Sequence, residues 1–333
     1  MKQLGIIILA AGVGKRMKSK TPKVMHKLCG KTMLSYVIDS ALALNPEKTV
    51  VVINPKMDKN QLAGVLHELS LQCIVQDPPR GTGDAVLQAE PIFRNFDGLI
   101  LVLCGDVPLI TPDTLDKLIT FHYTPSGQET RPTRIQKSSC TILTTVPPNP
   151  GLYGRIVKKG DGVSKIVENS DATPEEKKIN EINTGIYVFN CKELFNALHK
   201  IKLSNAQKEY YLTDTIEILC KEGKQVNDFS APDWQEVSGI NTRKSLAEVE
   251  KVLQAQIIER LQLNGVTIKG PVTIDFDVQI GKDTVVSPGV EILGNTEIGE
   301  GCEIRRGVRI GDSKISDGTK VEEGSTIENA ILG

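Results

Sequence analysis

The chain has 333 residues with 40 basic and 41 acidic side chains, so its net charge is close to zero. This balance argues against nucleic acid or an acidic membrane surface as a main partner, and no apolar run is long enough to span a bilayer. Seven cysteines, without a Cys-x-x-Cys pair, indicate neither a disulfide framework nor a structural zinc site. We therefore expect a reduced, cytoplasmic protein, and the length favours two domains.

The first predicted element is a buried strand that ends in a basic loop. Residues 4–11 form an unbroken apolar run, and Gly12 and Gly14 then allow a tight turn. The cations of the loop include Lys15, Arg16, Lys18 and Lys23. The loop is either a phosphate cradle at the carboxyl end of a parallel strand or an ordinary solvated segment, and the stretch alone supports both equally. Its glycine spacing excludes a dinucleotide fingerprint and a Walker A loop.

Strands and helices then alternate along the chain. Apolar residues at helical spacing predict helices at 33–42 and 62–69, and apolar runs predict strands at 49–53, 73–76 and 99–103. This alternation predicts an α/β fold with a doubly wound, mostly parallel, Rossmann-like sheet. Further along, the polar residues 123–137 predict a surface loop, and residues 245–263 predict an amphipathic helix.

Two short motifs follow predicted strands. Gln76 precedes a Gly81-Thr82-Gly83 turn, which offers backbone donors at a helix start, although a simple cap by Thr82 explains the turn better when it is taken alone. Asp106 follows the strand at 99–103, at the sheet edge where open α/β sheets bind ligands. A carboxylate there suits Mg²⁺ or, equally, a helix cap.

From residue 268 the pattern changes to a six-residue period. The aliphatic positions are Ile268, Ile274, Ile280, Val286, Ile292, Ile298, Ile304 and Ile310, then, after one five-residue step, Ile315, Val321 and Ile327. A small or β-branched residue follows most of them four positions later. Such a period predicts a parallel β-helix in which each coil buries its inward residues on the next.

The opening residues, Leu9-Ala10-Ala11-Gly12 with Arg16-Met17 and Pro22-Lys23, resemble the signature of sugar-nucleotide pyrophosphorylases. Residues 22–31 narrow the resemblance to the bacterial family that joins an N-acetylglucosamine-1-phosphate uridyltransferase to a glucosamine-1-phosphate acetyltransferase. Later segments resemble that family in the same order: 151–156, 166–168, 181–185, 205–214 and 239–242. Two positions depart from the family pattern, because Lys15 stands where Thr is frequent and Cys104 where Tyr is usual.

The resemblance implies roles for individual residues. Arg16 and Lys23 would neutralise phosphates, and Asp106 and Asn241 would hold Mg²⁺. The substrate-binding positions that it implies are Leu9, Ala10, Ala11, Gly12, Gln76, Gly81, Thr82, Gly154, Glu168, Asn183 and Asn241. Among these, Gln76, Gly81 and Thr82 would select uracil. Gly154, Glu168 and Asn183 would select the sugar.

The implied reaction converts UTP and N-acetylglucosamine-1-phosphate into UDP-N-acetylglucosamine and pyrophosphate. The expected domains are a nucleotidyltransferase at 1–244, a linker helix at 245–264 and a left-handed β-helix at 265–333, which commonly forms homotrimers. The family's β-helix is longer, so we expect a truncated form without acetyltransferase activity. Three alternatives stay open: a related enzyme of other sugar or base specificity, a catalytically silent nucleotide-sugar-binding protein, and a hexapeptide acyltransferase.

Overall fold

The computed structural model describes residues 3–57, 71–124, 138–203 and 205–333. The helix expected at 62–69 lies outside these residues, as does almost all of the loop expected at 123–137. The chain forms two compact units, one of Met1–Met25 with Met33–Ile240 and one of His26–Thr32 with Asn241–Gly333. Among the described helices, none combines the length and apolarity needed to cross a membrane.

The strands up to residue 230 are β1 (Leu4–Ala10), β2 (Lys27–Leu28), β3 (Lys31–Thr32), β4 (Lys48–Ile53), β5 (Gln72–Val75), β6 (Leu99–Cys104), β7 (Cys140–Thr145), β8 (Arg155–Lys159), β9 (Gly162–Val167), β10 (Ile182–Asn190) and β11 (Val226–Ser230). The main sheet of the first unit has the order β11-β7-β10-β6-β1-β4-β5, and β8 and β9 form a hairpin beside β10. Neighbouring strands along this order are parallel, except that β10 runs antiparallel to both β6 and β7. The amino end of β10 therefore lies at the same sheet edge as the carboxyl ends of β1 and β6.

Both faces of this sheet are buried, which explains why its central strands are apolar throughout. Ile7 and Val102 point into one core with Phe189, whereas Ile8 and Leu101 point into the other. The helices of the first unit are α1 (Met33–Leu42), α2 (Thr82–Gln88), α3 (Glu90–Phe93), α4 (Pro112–Tyr123), α5 (Cys191–Leu198) and α6 (Asp214–Lys221), with short 3₁₀ helices at Lys15–Met17, Lys23–Met25 and Glu176–Lys178. The predicted doubly wound, mostly parallel sheet is confirmed.

The second unit combines the β2–β3 hairpin, a long helix and a β-helix. Helix α7 (Arg243–Leu263) begins after Thr242, whose hydroxyl accepts a hydrogen bond from the Ser245 N–H (3.1 Å). The strands that follow are β12 (Thr267–Ile268), β13 (Thr273–Ile274), β14 (Gln279–Ile280), β15 (Val285–Val286), β16 (Glu291–Leu293), β17 (Glu297–Ile298), β18 (Glu303–Ile304), β19 (Arg309–Gly311), β20 (Lys314–Ile315), β21 (Lys320–Val321), β22 (Thr326–Glu328) and β23 (Ile331–Leu332). They form three parallel sheets. Within each sheet, a strand pairs with the strand that comes three places later in the chain, as β12 does with β15. The predicted β-helix of hexapeptide repeats is confirmed.

The inner and outer residues of the β-helix make different contacts. Most of the inward aliphatic side chains are almost fully buried, with Ile292 and Ile310 at 0% exposure, whereas Ile268 and Ile327 are partly exposed. On the outer surface, Arg309 bridges Glu291 of the preceding coil (2.7 Å) and Glu328 of the next (3.1 Å). These ion pairs are about half exposed, so each contributes about 1 kcal/mol or less. Burial of the aliphatic stack is therefore the main source of stability in this unit.

Candidate active site at the carboxyl edge of the sheet

The basic loop leaves β1 through a left-handed turn. Gly14 has φ +63°, and a Cβ placed there would lie 2.7 Å from the Cβ of Lys23. Glycine is therefore required both by the backbone conformation and by the close approach of Lys23. In the 3₁₀ helix that follows, Met17 is buried and Arg16 is exposed. The loop thus anchors on Met17 and presents Arg16 to solvent.

The end of β1 also holds the turn that carries Asp106. The carbonyl of Leu9 accepts a hydrogen bond from the Gly105 N–H (2.9 Å), and the carbonyl of Ala11 accepts one from the Asn54 amide (3.0 Å). These contacts place Asp106 beside the basic loop, where its carboxylate pairs with the Lys23 ammonium. The structure therefore brings together Lys23 and Asp106, which are 83 residues apart. Asp106 is not a helix cap.

The segment proposed to contact uracil is held together by its own side chains. The Gln76 amide is buried and donates to the Gly81 carbonyl (2.9 Å) and to the Asp84 carboxylate (2.8 Å). Helix α2 begins after Gly81, so its N-cap residue has no side chain that could accept a capping hydrogen bond. The Thr82 hydroxyl instead accepts a hydrogen bond from the Leu212 N–H (3.0 Å). The interpretation of Thr82 as a simple cap is wrong, because that hydroxyl joins α2 to a distant segment.

The three positions proposed to contact the sugar lie together. The Asn183 N–H donates to the Gly154 carbonyl (2.9 Å), and a Cβ on Gly154 would lie 3.4 Å from a carboxylate oxygen of Glu168. The Glu168 carboxylate accepts a hydrogen bond from the Thr213 hydroxyl (3.1 Å). Burial raises the pKa of Glu168 even though this hydrogen bond acts in the opposite direction. A carboxylate, an amide and a backbone turn are thus grouped where β10 begins.

Cys104, the last residue of β6, lies between these groups. Its thiol donates to the Gly185 carbonyl (3.4 Å). Burial, with the nearby Asp106 carboxylate, raises the pKa of the thiol to about 12, so Cys104 is neutral at ordinary pH. Cys104, which stands where the family usually has Tyr, is therefore a small, neutral neighbour of Asp106 rather than an ionised nucleophile.

Comparison with known proteins supports the same architecture. The nucleotidyl transferase family model matches residues 6–255, and the model of bacterial transferase hexapeptide repeats matches residues 277–312. The bifunctional protein GlmU of Lactobacillus johnsonii is 44% identical over 332 residues, which cover 98% of this chain and 68% of the relative. The chain belongs to the GlmU family of nucleotidyl transferases. GlmU proteins of Geobacillus sp. strain WCH70 and Alkaliphilus oremlandii are each 42% identical, over 98% and 99% of this chain and 68% and 70% of those relatives.

Asp106 suits the cation that a GlmU-type nucleotidyl transferase would use with a nucleotide. Mg²⁺ prefers oxygen ligands and typically takes one or two protein carboxylates together with substrate phosphates. Within the described ranges no cluster of three or more His, Cys, Asp or Glu residues could hold a metal by itself. A single carboxylate beside a basic loop fits a metal that is shared with phosphates. Asn241, the other expected ligand, is the first residue of the second unit's long segment, and its N–H donates to the Ser245 hydroxyl (3.1 Å).

Sequence reasoning missed three residues that support the site of this GlmU family member. Thr213 orients Glu168, as described above. The Arg155 guanidinium donates to the carbonyls of Gly151 (3.0 Å) and Tyr153, and the Tyr153 hydroxyl accepts a hydrogen bond from the Gly239 N–H (2.9 Å). All three residues lie in segments that resemble the family, but spacing along the chain gives no sign of the long-range contacts that join Thr213 to Glu168 and Tyr153 to Gly239.

Asp214 provides a test of how the sugar side of the site affects stability. It lines a cavity of about 420 Å³ together with Glu168, Asp171 and Thr213. Burial, with Glu217 and Asp171 nearby, raises the pKa of Asp214 from 3.8 to about 6. Between these values the folded state binds the proton more tightly than the unfolded state, so this carboxyl makes the protein less stable as pH rises from about 4 to 6. Above pH 6 the loss is complete.

We therefore expect Asp214→Asn to increase the free energy of unfolding at pH 7.5 by about 1–2 kcal/mol, a value reduced from the full shift because the side chain is partly exposed. At pH 4 the gain should disappear. Urea unfolding at both values measures this difference. Asp113→Asn, which removes an exposed carboxylate from α4, is the control and should show no comparable dependence. An Asp214→Asn gain that is equal at the two pH values would contradict the explanation.

Proposed function

We propose that the chain is a uridyltransferase that makes UDP-N-acetylglucosamine and pyrophosphate from UTP and N-acetylglucosamine-1-phosphate. An oxygen of the sugar phosphate attacks the α-phosphorus of UTP in line. The bond from this phosphorus to the bridging β-phosphate oxygen breaks, and pyrophosphate leaves with the electron pair. Transfer of this kind depends mainly on positioning and charge neutralisation, so the proposal requires no covalent nucleophile.

One observation carries the proposal: two chemically different groups of residues share one sheet edge. Lys23 and Asp106 form the charged group, which suits phosphates and their cation. Gly154, Glu168 and Asn183 form the polar group, which suits hydroxyls and an N-acetyl substituent. A substrate with a sugar at one end and a phosphate at the other would span the two.

The cationic side chains would act on the triphosphate. Arg16 is exposed on the loop, and Lys23 lies at its base. Their charges would neutralise phosphate oxygens, most strongly as negative charge moves onto the leaving pyrophosphate. Mg²⁺, when bound by Asp106, would supply further charge neutralisation at the phosphates. Leu9, Ala10, Ala11 and Gly12 would line the nucleotide through their backbone.

Uracil recognition is assigned to Gln76, Gly81 and Thr82. The Gln76 amide nitrogen is held by Gly81 and Asp84, which orients the side chain before any ligand arrives. A preoriented amide suits the edge of a base, because uracil and cytosine differ in their donors and acceptors. We therefore propose that these three residues favour UTP over CTP.

A panel of sugar phosphates tests the proposed function directly. Pyrophosphate release is measured with UTP, Mg²⁺ and N-acetylglucosamine-1-phosphate, glucosamine-1-phosphate or glucose-1-phosphate. We expect the N-acetylated substrate to have a kcat/KM about 10- to 100-fold higher, because each buried polar group left unpaired costs about 1–3 kcal/mol. Equal values for all sugars would favour a nucleotidyl transferase of other specificity. Binding of UDP-N-acetylglucosamine without any turnover would favour a silent binding protein.

We further propose that residues 265–333 act as a trimerisation unit without acetyltransferase activity, beside a catalytic domain at 1–244 and a linker helix at 245–264. Acetyl transfer to an amine requires a base, for which histidine is the usual choice. The histidines of the 333-residue chain are His26, His67, His122 and His199, and none belongs to the hexapeptide repeats. With acetyl-CoA and glucosamine-1-phosphate we expect no enzyme-dependent free thiol. Catalytic release of coenzyme A would refute this part, and sedimentation equilibrium measures the oligomer.

A further inference from the structure

Lys23 and Asp106 form an ion pair that is largely removed from water. Their side chains are 14% and 17% exposed, and the Lys23 ammonium directly contacts a carboxylate oxygen of Asp106. Ion pairs in such surroundings are screened far less than surface pairs. Removing one partner leaves the other charge poorly solvated and costs free energy. The pair is therefore a stable resting arrangement of these two side chains.

The two partners differ in how firmly they are held. The turn that carries Asp106 is fixed to the sheet by the hydrogen bond from Gly105 to Leu9 and by a second from the Ile240 N–H to the Asp106 carbonyl (2.9 Å). Lys23 reaches the carboxylate with a long side chain whose Cβ packs against Gly14 of the basic loop. Its ammonium can be redirected by rotation about side-chain bonds, without movement of the sheet.

A divalent cation that binds without nucleotide must compete with the Lys23 ammonium for the Asp106 carboxylate. It would have to displace the Lys23 ammonium from Asp106 and then lie near that positive charge, which is unfavourable in a partly buried site. A triphosphate changes the balance, because its oxygens offer the ammonium another anionic partner. Asp106 then becomes available to the metal.

We propose that the Lys23–Asp106 ion pair makes metal binding at Asp106 depend on nucleotide binding. Without nucleotide, Lys23 holds the carboxylate and opposes the cation; with nucleotide, Lys23 moves to the phosphates and the carboxylate accepts the cation. The inference rests on the proposed function in taking Asp106 as a metal ligand. It adds a role for Lys23 in the nucleotide-free protein, where no phosphate is present to neutralise.

The test measures Mn²⁺ binding to the nucleotide-free protein by electron paramagnetic resonance, which detects free Mn²⁺. We expect Lys23→Gln to bind Mn²⁺ at least tenfold more tightly than the wild-type protein does. Lys23→Arg, which keeps the positive charge, should remain close to wild type. Lys20→Gln removes one exposed cation near the same loop and should change the affinity by less than about threefold.

Two further measurements make the result specific. Adding Asp106→Asn to Lys23→Gln should abolish the gained Mn²⁺ affinity, because the gained site depends on that carboxylate. In the wild-type protein, UTP should bind with a different affinity when Mg²⁺ is present, and this difference should be smaller in Lys23→Gln, since coupling between two ligands is reciprocal. Circular dichroism and thermal unfolding show that each variant is folded.

Lys23→Gln that is folded yet binds Mn²⁺ no more tightly than wild type would overturn the inference. So would a gain in affinity that survives the loss of Asp106. Failure of the proposed function looks different: pyrophosphate would not be released with any sugar phosphate, whatever the Mn²⁺ affinities. An active uridyltransferase whose Mn²⁺ affinity is indifferent to Lys23 would refute the ion-pair inference alone.

Discussion

Asp106→Asn is expected to lower kcat for pyrophosphate release by about 1,000-fold or more, because loss of a metal ligand removes several kcal/mol of transition-state stabilisation. The substitution keeps the shape of the side chain and removes its charge. The substitution removes the ion pair with Lys23, so the melting temperature should fall by a few degrees while the circular dichroism spectrum stays unchanged. The assay combines pyrophosphate release with Mn²⁺ binding in the presence of UTP.

Asp113→Asn serves again as the matched control for Asp106→Asn. Its carboxylate lies on the exposed surface of α4, where it pairs with Lys117, and its loss should leave both activity and Mn²⁺ binding unchanged. If Asp106→Asn folds and releases pyrophosphate at the wild-type rate, the carboxylate has no part in the metal site.

Gly81→Ala should damage both stability and nucleotide binding. Gly81 has φ +112°, and a Cβ there would lie 2.5 Å from the Tyr210 carbonyl oxygen and 2.8 Å from the Tyr210 nitrogen. The added methyl group must push the start of α2 away from the Tyr210 segment, at a cost of about 2–4 kcal/mol from strain and overpacking. The same movement displaces the Gly81 carbonyl that holds Gln76. We expect a lower midpoint in urea and a KM for UTP raised by at least tenfold.

Gly160→Ala separates this steric effect from the general cost of replacing a glycine at positive φ. Gly160 has φ +63° in the turn between β8 and β9, and a Cβ there would meet no atom within 4 Å. It should cost about 1 kcal/mol of stability and leave the KM for UTP unchanged. Equal losses in the two variants would show that the Tyr210 contact does not matter.

Periodicity along the chain was sufficient to predict the first four strands of the main sheet and the β-helix. The apolar run that became β1 and the six-residue repeat of the β-helix are local patterns, so each could be recognised without knowing the tertiary structure. The reversed direction of β10 could not be predicted, because a buried strand has the same composition in either direction. That reversal nevertheless brings Asn183 to the edge where Asp106 lies.

Contacts within the site were harder to predict than the identity of its residues. The motifs indicated Gln76, Lys23 and Asp106, although their assigned roles stay predictions. The supporting contacts join residues far apart in the chain, such as Thr213 with Glu168, and depend on three-dimensional packing. Spacing along the sequence carries no information about such pairs.

The β-helix has two different repeats, one inside and one outside. Its inward aliphatic residues recur every six residues, whereas paired strands of successive coils are 18 residues apart, as in Thr267 with Val285, or 17 where the short step falls. Removing six residues would therefore keep the interior filled but move each later strand to the next face. Arg309 would no longer lie between Glu291 and Glu328. The length of this unit can thus change by single hexads as far as the core is concerned, but only by whole coils if its surface charge pattern, and any recognition that depends on it, is to be preserved.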